Sequence, residues 1–463
     1  MFAGRLKNIY LLYRHKNLNY MQKESLINIK YSSEKIIHTS LFIYLFLLIF
    51  PHTTTLKEIS FWIAAICWVL LRLRKSEPFI TLNPIIASLS LFMVIAFISS
   101  VIGMEPLENL KRFKGELLVP FILFLITATE FNSIEKAKRL LFAPVIAFAI
   151  YTLLAVFEST DYGLQYFWDK TNREQYVWLT SYSQFSAFAF PLILGLILFI
   201  TNRWLRYFLI AFAVIVFAML TAYRGFTVFL GAVSILLLWM MFAKPPKYRL
   251  WMIAFVALFI FIFGFLSYTY KNHQAVTEYM AKFERIINIS DELKSEEGFS
   301  NRIPAWIAAI DIIKDRPILG YGWGIKKFKE LVYQEKFLER WKENKPSVYE
   351  FYTVTVKNTF FPPHNLFLEI AVQSGLLGFT AFIVFIAIYS YYLIKNILRT
   401  SSDEDRNFSM ILIGGTFLSF IIVNLMSNDM GNDAGKIFFV VIGIGAGWIK
   451  NKELQHSTHY SIG

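Results

Sequence analysis

Charge and cysteine are what this chain has little of. Only 17% of its 463 residues are charged and one is a cysteine, whereas an ordinary soluble domain is about a quarter charged. The lone Cys67 lies in an apolar block, so a disulfide framework and a thiolate metal cluster are both excluded. Internal repeats are not apparent, and neither are the short alternating strands of an outer-membrane barrel. Residues 1–37 are basic and polar and carry no apolar core of a cleavable signal peptide.

What is present is grease. Hydrophobic residues make up 56% of the chain and aromatics 18%. They fall into blocks near 38–54, 59–73, 83–103, 116–130, 140–158, 179–200, 205–222, 225–243, 250–270, 373–395, 408–427 and 435–450. Blocks of this length reach across a bilayer core, and a single soluble core could not absorb so many of them. The reading is an all-α polytopic membrane protein of about twelve transmembrane helices. Pro120, Pro144 and Pro191 fall inside blocks and are expected to kink them where neighbours satisfy the freed carbonyls.

A net charge of +13 can signal nucleic acid, but its placement points elsewhere. Arg72, Arg74 and Lys75 follow the second block, and Lys136, Lys138 and Arg139 the fourth. Arg203 and Arg206 follow the sixth, Lys244, Lys247 and Arg249 the eighth, and Lys395, Arg399 and Arg406 the tenth. Positive links on every second turn set both termini and these links in the cytoplasm. The long polar loop 271–365, after the ninth block, then lies outside. The expected organisation is a basic cytoplasmic segment 1–37, transmembrane helices 1–9 over 38–270, the outer loop 271–365, helices 10–12 over 366–450, and a cytoplasmic tail 451–463.

Two outer links break the pattern of charges. The link after the third block carries Lys111, Arg112 and Lys114, and the turn Tyr223-Arg224-Gly225 holds one lone cation. Outward cations oppose the orientation bias and are retained where an anion has to be held. The competing reading is a lipid-snorkelling or glutamate-paired role, since Arg112 and Glu116 stand four apart on a helix.

The outer loop carries two motifs. From 299 it reads Phe-Ser-Asn-Arg-Ile-Pro-Ala-Trp, where Ser300 or Asn301 can cap a helix and Pro304 suits its first turn. Ile303, Trp306, Ile307, Ile310 and Ile313 recur at helical spacing as one apolar face. Pro317 ends that helix, and Gly320, Gly322 and Gly324 make a turn that is no dinucleotide fingerprint, because no strand precedes it. Arg302 at the helix mouth is not needed for packing. The second motif, Pro362-Pro363-His364-Asn365, ends the loop where an apolar helix starts. The two prolines fix the chain beside His364, and an imidazole accepts a proton near neutral pH. His273 is a weaker candidate. The run Asp291-Glu292 and Glu296-Glu297 reads as a solvated turn, interrupted by Lys294, with no second His at ligand spacing. The Asp429–Asp433 link is a polar outer turn.

Taken together, Asn-Arg…Trp-x-x-Ala…Pro…Gly-x-Gly at 301–322 and Pro-His-Asn-x-x-Leu…Gly at 363–378 resemble the O-antigen ligase and polymerase superfamily. The resemblance implies a bacterial inner-membrane glycosyltransferase with its large, partly helical periplasmic loop between helices 9 and 10. It implies transfer of a glycan from undecaprenyl diphosphate to an acceptor, without cofactor or metal. Arg224 and Arg302 then resemble the arginines that hold the diphosphate, and His364 the essential histidine. Lys111, Arg112 and Lys114 would bind substrate at the lipid-diphosphate entry; Trp306, Asn365 and Gly375 match the pattern as structural residues. The expected partners are the lipid-linked donor, a lipid A–core acceptor and membrane lipids, with no nucleic acid.

Within that family a ligase, attaching O-antigen to lipid A–core, is the first reading. An O-antigen polymerase and a protein O-oligosaccharyltransferase are the near alternatives. A lipid-linked glycan transporter is the alternative from another class, but it calls for mid-membrane charges, broken helices and inverted repeats. The orientation is checked by fusions: a reporter near residue 330 is expected to read periplasmic and one near 247 cytoplasmic. Reversal of either would overturn the topology.

Overall fold

The computed structural model describes residues 33–75, 83–162, 182–200, 202–224, isolated turns between 250 and 269, and 302–460 apart from 325, 358–360, 401, 426 and 428–429. For some of these, including 155–162 and 217–224, only the backbone is described. The apolar block at 225–243 and the loop residues 271–301, which include His273 and the acidic run, lie outside the described residues. Every regular element among the described residues is helical.

The chain divides into two compact units, one holding residues up to 48 with 52–81, the other 49–51 with 82–463. In the first, α1 (33–47) and α2 (Thr54–Lys75) form a helical hairpin. Tyr44 and Phe61 meet across it with ring centroids 5.9 Å apart, and the Thr53 hydroxyl caps the turn by donating to Leu47 O at 3.0 Å.

The second unit runs α3 (Pro84–Ile102), α4 (Pro106–Phe113), α5 (Val119–Glu130), α6 (Ile134–Tyr162), α7 (Tyr182–Ile197) and α8 (Arg203–Arg224). The loop helices are α9 (Arg302–Asp315), α10 (Lys326–Val332), α11 (Glu335–Asn344) and α12 (Pro346–Glu350). After them come α13 (Leu366–Arg399), α14 (Asp403–Asn407), α15 (Gly415–Val423) and α16 (Asp433–Tyr460). Four stretches among the described residues are long and apolar enough to cross a membrane: Pro84–Ile102, Ile134–Leu154, Leu366–Arg399 and Asp403–Val423.

Packing between these helices rests on small residues and rings. A side chain at Gly443 would lie 2.6 Å from Phe124 O, and one at Gly447 2.3 Å from Ala128 O. The Gly-x-x-x-Gly spacing thus lets α16 lie directly on the backbone of α5, where close approach replaces the missing hydrophobic drive. A chain of aromatic contacts crosses the rest of the unit. Phe92 of α3 meets Phe382 of α13 at 5.2 Å, Tyr389 meets Phe417 of α15 at 4.7 Å, and Phe420 stacks on Phe438 of α16 at 3.6 Å.

α13 differs from the span read at 373–395. It begins seven residues earlier, at Leu366, because Glu369 and Gln373 interrupt the apolar run without ending the helix; both are buried. It is also broken at Gly375, whose φ of 66° and ψ of −176° suit glycine alone. The freed backbone groups are taken up by the segment that follows α9. Tyr321 N donates to Val372 O at 3.0 Å and Gly322 N to Gln373 O at 2.9 Å, while Leu376 N donates to Pro317 O at 2.6 Å. The Ser99 hydroxyl of α3 lies between the carbonyls of Leu319 and Gln373, 2.7 Å from the latter. Irregular backbone within an apolar span survives only when protein satisfies its polar groups. The turn at 316–322 does so here.

Replacing Gly375 by Ala would put a Cβ 2.1 Å from Ile318 O in a backbone region worth about 1–3 kcal/mol of strain. Gly375→Ala is expected to lower the melting temperature of the detergent-solubilised protein and to open the 316–322 segment to protease. An unchanged melting temperature and digestion pattern would refute the stitched break.

Candidate active site

The loop between α9 and α13 packs around a core of its own. Trp341, Phe337, Tyr352, Val348 and Leu331 are buried there against Ala305, Ala308, Ala309 and Ile312 of α9. The apolar face read from the sequence therefore needs correction. Ile303 and Ile310 are 48% and 43% exposed, and the alanine side is the buried one. Alanines let α9 approach the Trp341 and Tyr352 rings, which stack at 5.9 Å, and that shape match outweighs the larger area of the isoleucines. The Ser300 and Asn301 caps lie outside the described residues.

Two carboxylates lock this small domain. Asp311 is buried and accepts from Trp341 Nε1 at 3.1 Å and Lys345 Nζ at 2.5 Å. Burial pushes its pKa up, but the hydrogen bonds from Lys345 and Trp341 outweigh that and hold it below the ordinary carboxylate range. Asp315 accepts from Lys336 Nζ at 2.6 Å and from the Tyr321 hydroxyl at 2.5 Å. These bonds, Lys336 first, lower it as well.

The two motifs meet through one hydrogen bond. Trp306, one turn into α9 from Arg302, donates Nε1–H to Pro363 O at 2.8 Å. Arg302 is partly buried at the start of α9, and His364 is partly buried immediately after the accepting proline. His364 holds a left-handed φ of 49°, a strained setting that persists only where its surroundings fix it. Those surroundings are visible. Its ring meets Phe361 edge-on at 5.3 Å, and Asn365 caps α13 by accepting from Phe367 N and Leu368 N at 3.0 and 3.1 Å. Asn365 Nδ2 also donates to Leu425 O at 3.0 Å, and Leu366 N to Asn424 O at 2.9 Å. The start of α13 is thus tied to the end of α15, with His364 held between two anchors.

The cations of the α3–α5 link stand differently. Arg112 bonds Glu108 Oε1 at 3.1 Å and lies 3.7 Å from Glu116 Oε1, so the glutamate partnership is what the structure shows. Glu116 in turn accepts from Trp323 Nε1 at 3.0 Å, and a side chain at Gly324 would press on the Arg112 stem at 3.2 Å. The triple-glycine turn therefore binds the α3–α5 link to the loop. Lys111 and Lys114 are exposed. Arg224 is the last residue of α8, and its side chain lies outside the described set. In the 428–433 link, Asn432 caps α16 and Asp433 pairs with Lys436 at 2.7 Å.

The sequence reading passed over Glu369 and Gln373. They stand four apart on one face of α13 and line a small cavity with Tyr321, Gly322, Gly324 and Phe328. Gln373 Oε1 accepts from Gly324 N at 3.0 Å, and Glu369 is 2% exposed. Their signal was a Glu and a Gln at helical spacing inside an apolar run, where polar residues face protein.

A chain whose described elements are all helices, with four stretches long and apolar enough to cross a bilayer, has the make-up of a helical membrane protein. Residues 209–383 match the family described as O-antigen ligase. The matched stretch includes Arg224, Arg302, Trp306 and His364, and it supports the chain's membership of the O-antigen ligase and polymerase superfamily of glycosyltransferase-type enzymes. No curated protein matches the chain.

The two locked carboxylates give the loop domain a pH signature. Both are held below the ordinary value, so their stabilisation is complete above the unfolded carboxylate pKa of about 3.9 and is lost as pH falls through the folded value. Loop-domain protection in hydrogen exchange is expected to stay constant from pH 8 to 5 and to decline below about pH 4. A decline centred near neutrality would contradict these pairings.

Proposed function

We propose that the protein is an O-antigen ligase, moving a glycan from undecaprenyl diphosphate to a sugar hydroxyl of lipid A–core at the periplasmic face of the inner membrane. The observation that carries this reading is the Trp306–Pro363 hydrogen bond, which joins the arginine motif to the histidine motif across the loop. In the reaction, the acceptor oxygen attacks the anomeric carbon while the bond from that carbon to the diphosphate oxygen breaks. The configuration inverts, and undecaprenyl diphosphate leaves with the bonding electrons.

A diphosphate is a good leaving group, so catalysis consists of stabilising its growing charge and aligning the acceptor. Arg302 and Arg224 suit the first task, because guanidinium forks match phosphate oxygens two at a time and remain charged. This charge stabilisation needs no metal ion. His364 suits the second, taking the proton released by the acceptor hydroxyl. General-base help of this kind is worth about 10²–10⁴ in rate. Lys111 and Lys114, exposed on the α3–α5 link, are available to draw the anionic head group in. Arg112 acts through its glutamates to hold that link in place.

The test is a lipopolysaccharide gel from a host lacking its own ligase. The wild-type chain is expected to restore the ladder of capped lipid A–core. His364→Ala and Arg302→Ala are expected to lose it while still reaching the membrane, and added chelator is expected to leave the ladder intact. Wild-type ladders from both variants would remove these residues from catalysis. Elongated but unattached lipid-linked glycan made by the wild type would assign the protein to the polymerases.

A further inference from the structure

The segment 320–324 is a wedge with two working sides. One side is stitched to α13: Tyr321 N and Gly322 N donate to the carbonyls of Val372 and Gln373, and Gly324 N donates to the Gln373 side chain at 3.0 Å. The other side lies on α4 and the π-helical turn that follows it (Lys114–Leu118). Met104 N donates to Tyr321 O at 3.0 Å. A Cβ at Gly322 would strike the Asn109 amide, one at Gly324 would press on the Arg112 stem, and Trp323 Nε1 donates to Glu116. Asn109, Arg112 and Glu116 are spaced three and four apart, so a single face of this helix receives the wedge. Asn109 is buried and donates to Ser100 O at 3.0 Å and Met104 O at 2.7 Å, which pins that face inward.

Lys111 and Lys114 fall on the opposite face by the same spacing, and both are exposed. Their height and direction are therefore set by how the wedge holds α4, and the wedge is held in turn by α13. Gln373 makes this connection twice, through its carbonyl to Gly322 and through its side-chain oxygen to Gly324. The residue is 5% exposed, and the cavity beside it, shared with Tyr321, Phe328 and Glu369, has a volume of about 10 Å³. That is room for one water at most, so neither a sugar nor a lipid head group reaches it. The work left to this side chain is mechanical.

We propose that Gln373 is a positioning residue for the donor: acting through Gly324 and Arg112, it fixes Lys111 and Lys114 relative to the start of α13, where His364 stands. This rests on the donor role given to those lysines under the proposed function. About two and a half helical turns separate Gln373 from His364, so one element carries the proposed base at its end and the wedge on its side. Removing the acceptor would leave the buried Gly324 amide without its partner. The turn would shift, and Arg112 and the two lysines with it. Binding of the diphosphate head would weaken, whereas proton transfer at His364 would not.

The test is Gln373→Met, which keeps the length of the side chain and deletes the acceptor. With the host's undecaprenyl-diphosphate-linked glycan as substrate, KM for the donor is expected to rise about tenfold while kcat stays within about twofold of wild type. Amide exchange of the purified full-length variant is expected to quicken at 320–324 and at 106–118 together, a readout that needs no glycan transfer. Trp341→Phe is the control: it removes a buried hydrogen bond to Asp311 in the core of the loop domain. It is expected to lower the melting temperature without raising KM. Should Gln373→Met fold poorly, Trp323→Phe, which releases Glu116 on the α4 side, is expected to raise KM in the same way. A fall in kcat at unchanged KM, an equal rise of KM in Trp341→Phe, or wild-type exchange at 106–118 would overturn the proposal. A wild-type protein that neither binds nor transfers the donor would count against the functional reading, and the positioning role would fall with it. A wild type that does both, beside a Gln373→Met protein of unchanged KM, would remove the positioning role alone.

Discussion

The hydrogen bond from Trp306 to the Pro363 carbonyl is the interaction on which the site depends. Fifty-seven residues separate its partners, and it joins the arginine motif to the histidine motif directly. A neutral hydrogen bond contributes only about 0.5–1.5 kcal/mol net. Its value lies in geometry: both partners sit on rigid supports, Trp306 on α9 and Pro363 against the capped start of α13. The proposed reaction, in which a diphosphate and an acceptor meet, tolerates little slack, since a displacement near 1 Å can cost about 10² in rate.

Those supports rest in turn on the break at Gly375. A continuous helix there would have no free carbonyls to offer, and the 316–322 segment would have nothing to bind. With the break, Val372 and Gln373 accept from Tyr321 and Gly322, and the α3 hydroxyl of Ser99 joins the same cluster. Charges add a second layer of attachment. Glu116 receives Trp323 while it shares Arg112 with Glu108, which brings the α3–α5 link to the same turn. The loop domain is thus held to the bundle at several points close to the proposed chemistry. The strained backbone of His364 is held separately, by the Phe361 ring and the capped start of α13.

Much of this was legible in the residues. The apolar blocks fall largely on helices where the chain is described, although α13 starts seven residues ahead of its block. Arg302 and His364 stood out because a fixed charge and a titratable ring have no packing reason to flank an apolar helix. The start of α9 and the proline-bounded approach to His364 followed from local chemistry. Other features depend on partners far away in sequence. The buried alanine face of α9 is set by Trp341 and Tyr352, which periodicity alone cannot reveal. The break at Gly375 needs the carbonyl of Pro317 and the amides of Tyr321 and Gly322. For Arg112 the residues left a ligand role and a glutamate partner both open; the spacing to Glu116 was legible, and the structure adds Glu108 on the preceding turn.

The central claim is that one side-chain donor sets the proposed catalytic pair, and the change Trp306→Phe tests it most directly. It keeps the ring and deletes the N–H. Transfer to lipid A–core, measured in membranes with the melting temperature followed in parallel, is expected to fall by about 10² while the protein stays folded. A folded Trp306→Phe protein that transfers glycan at the wild-type rate would contradict the account.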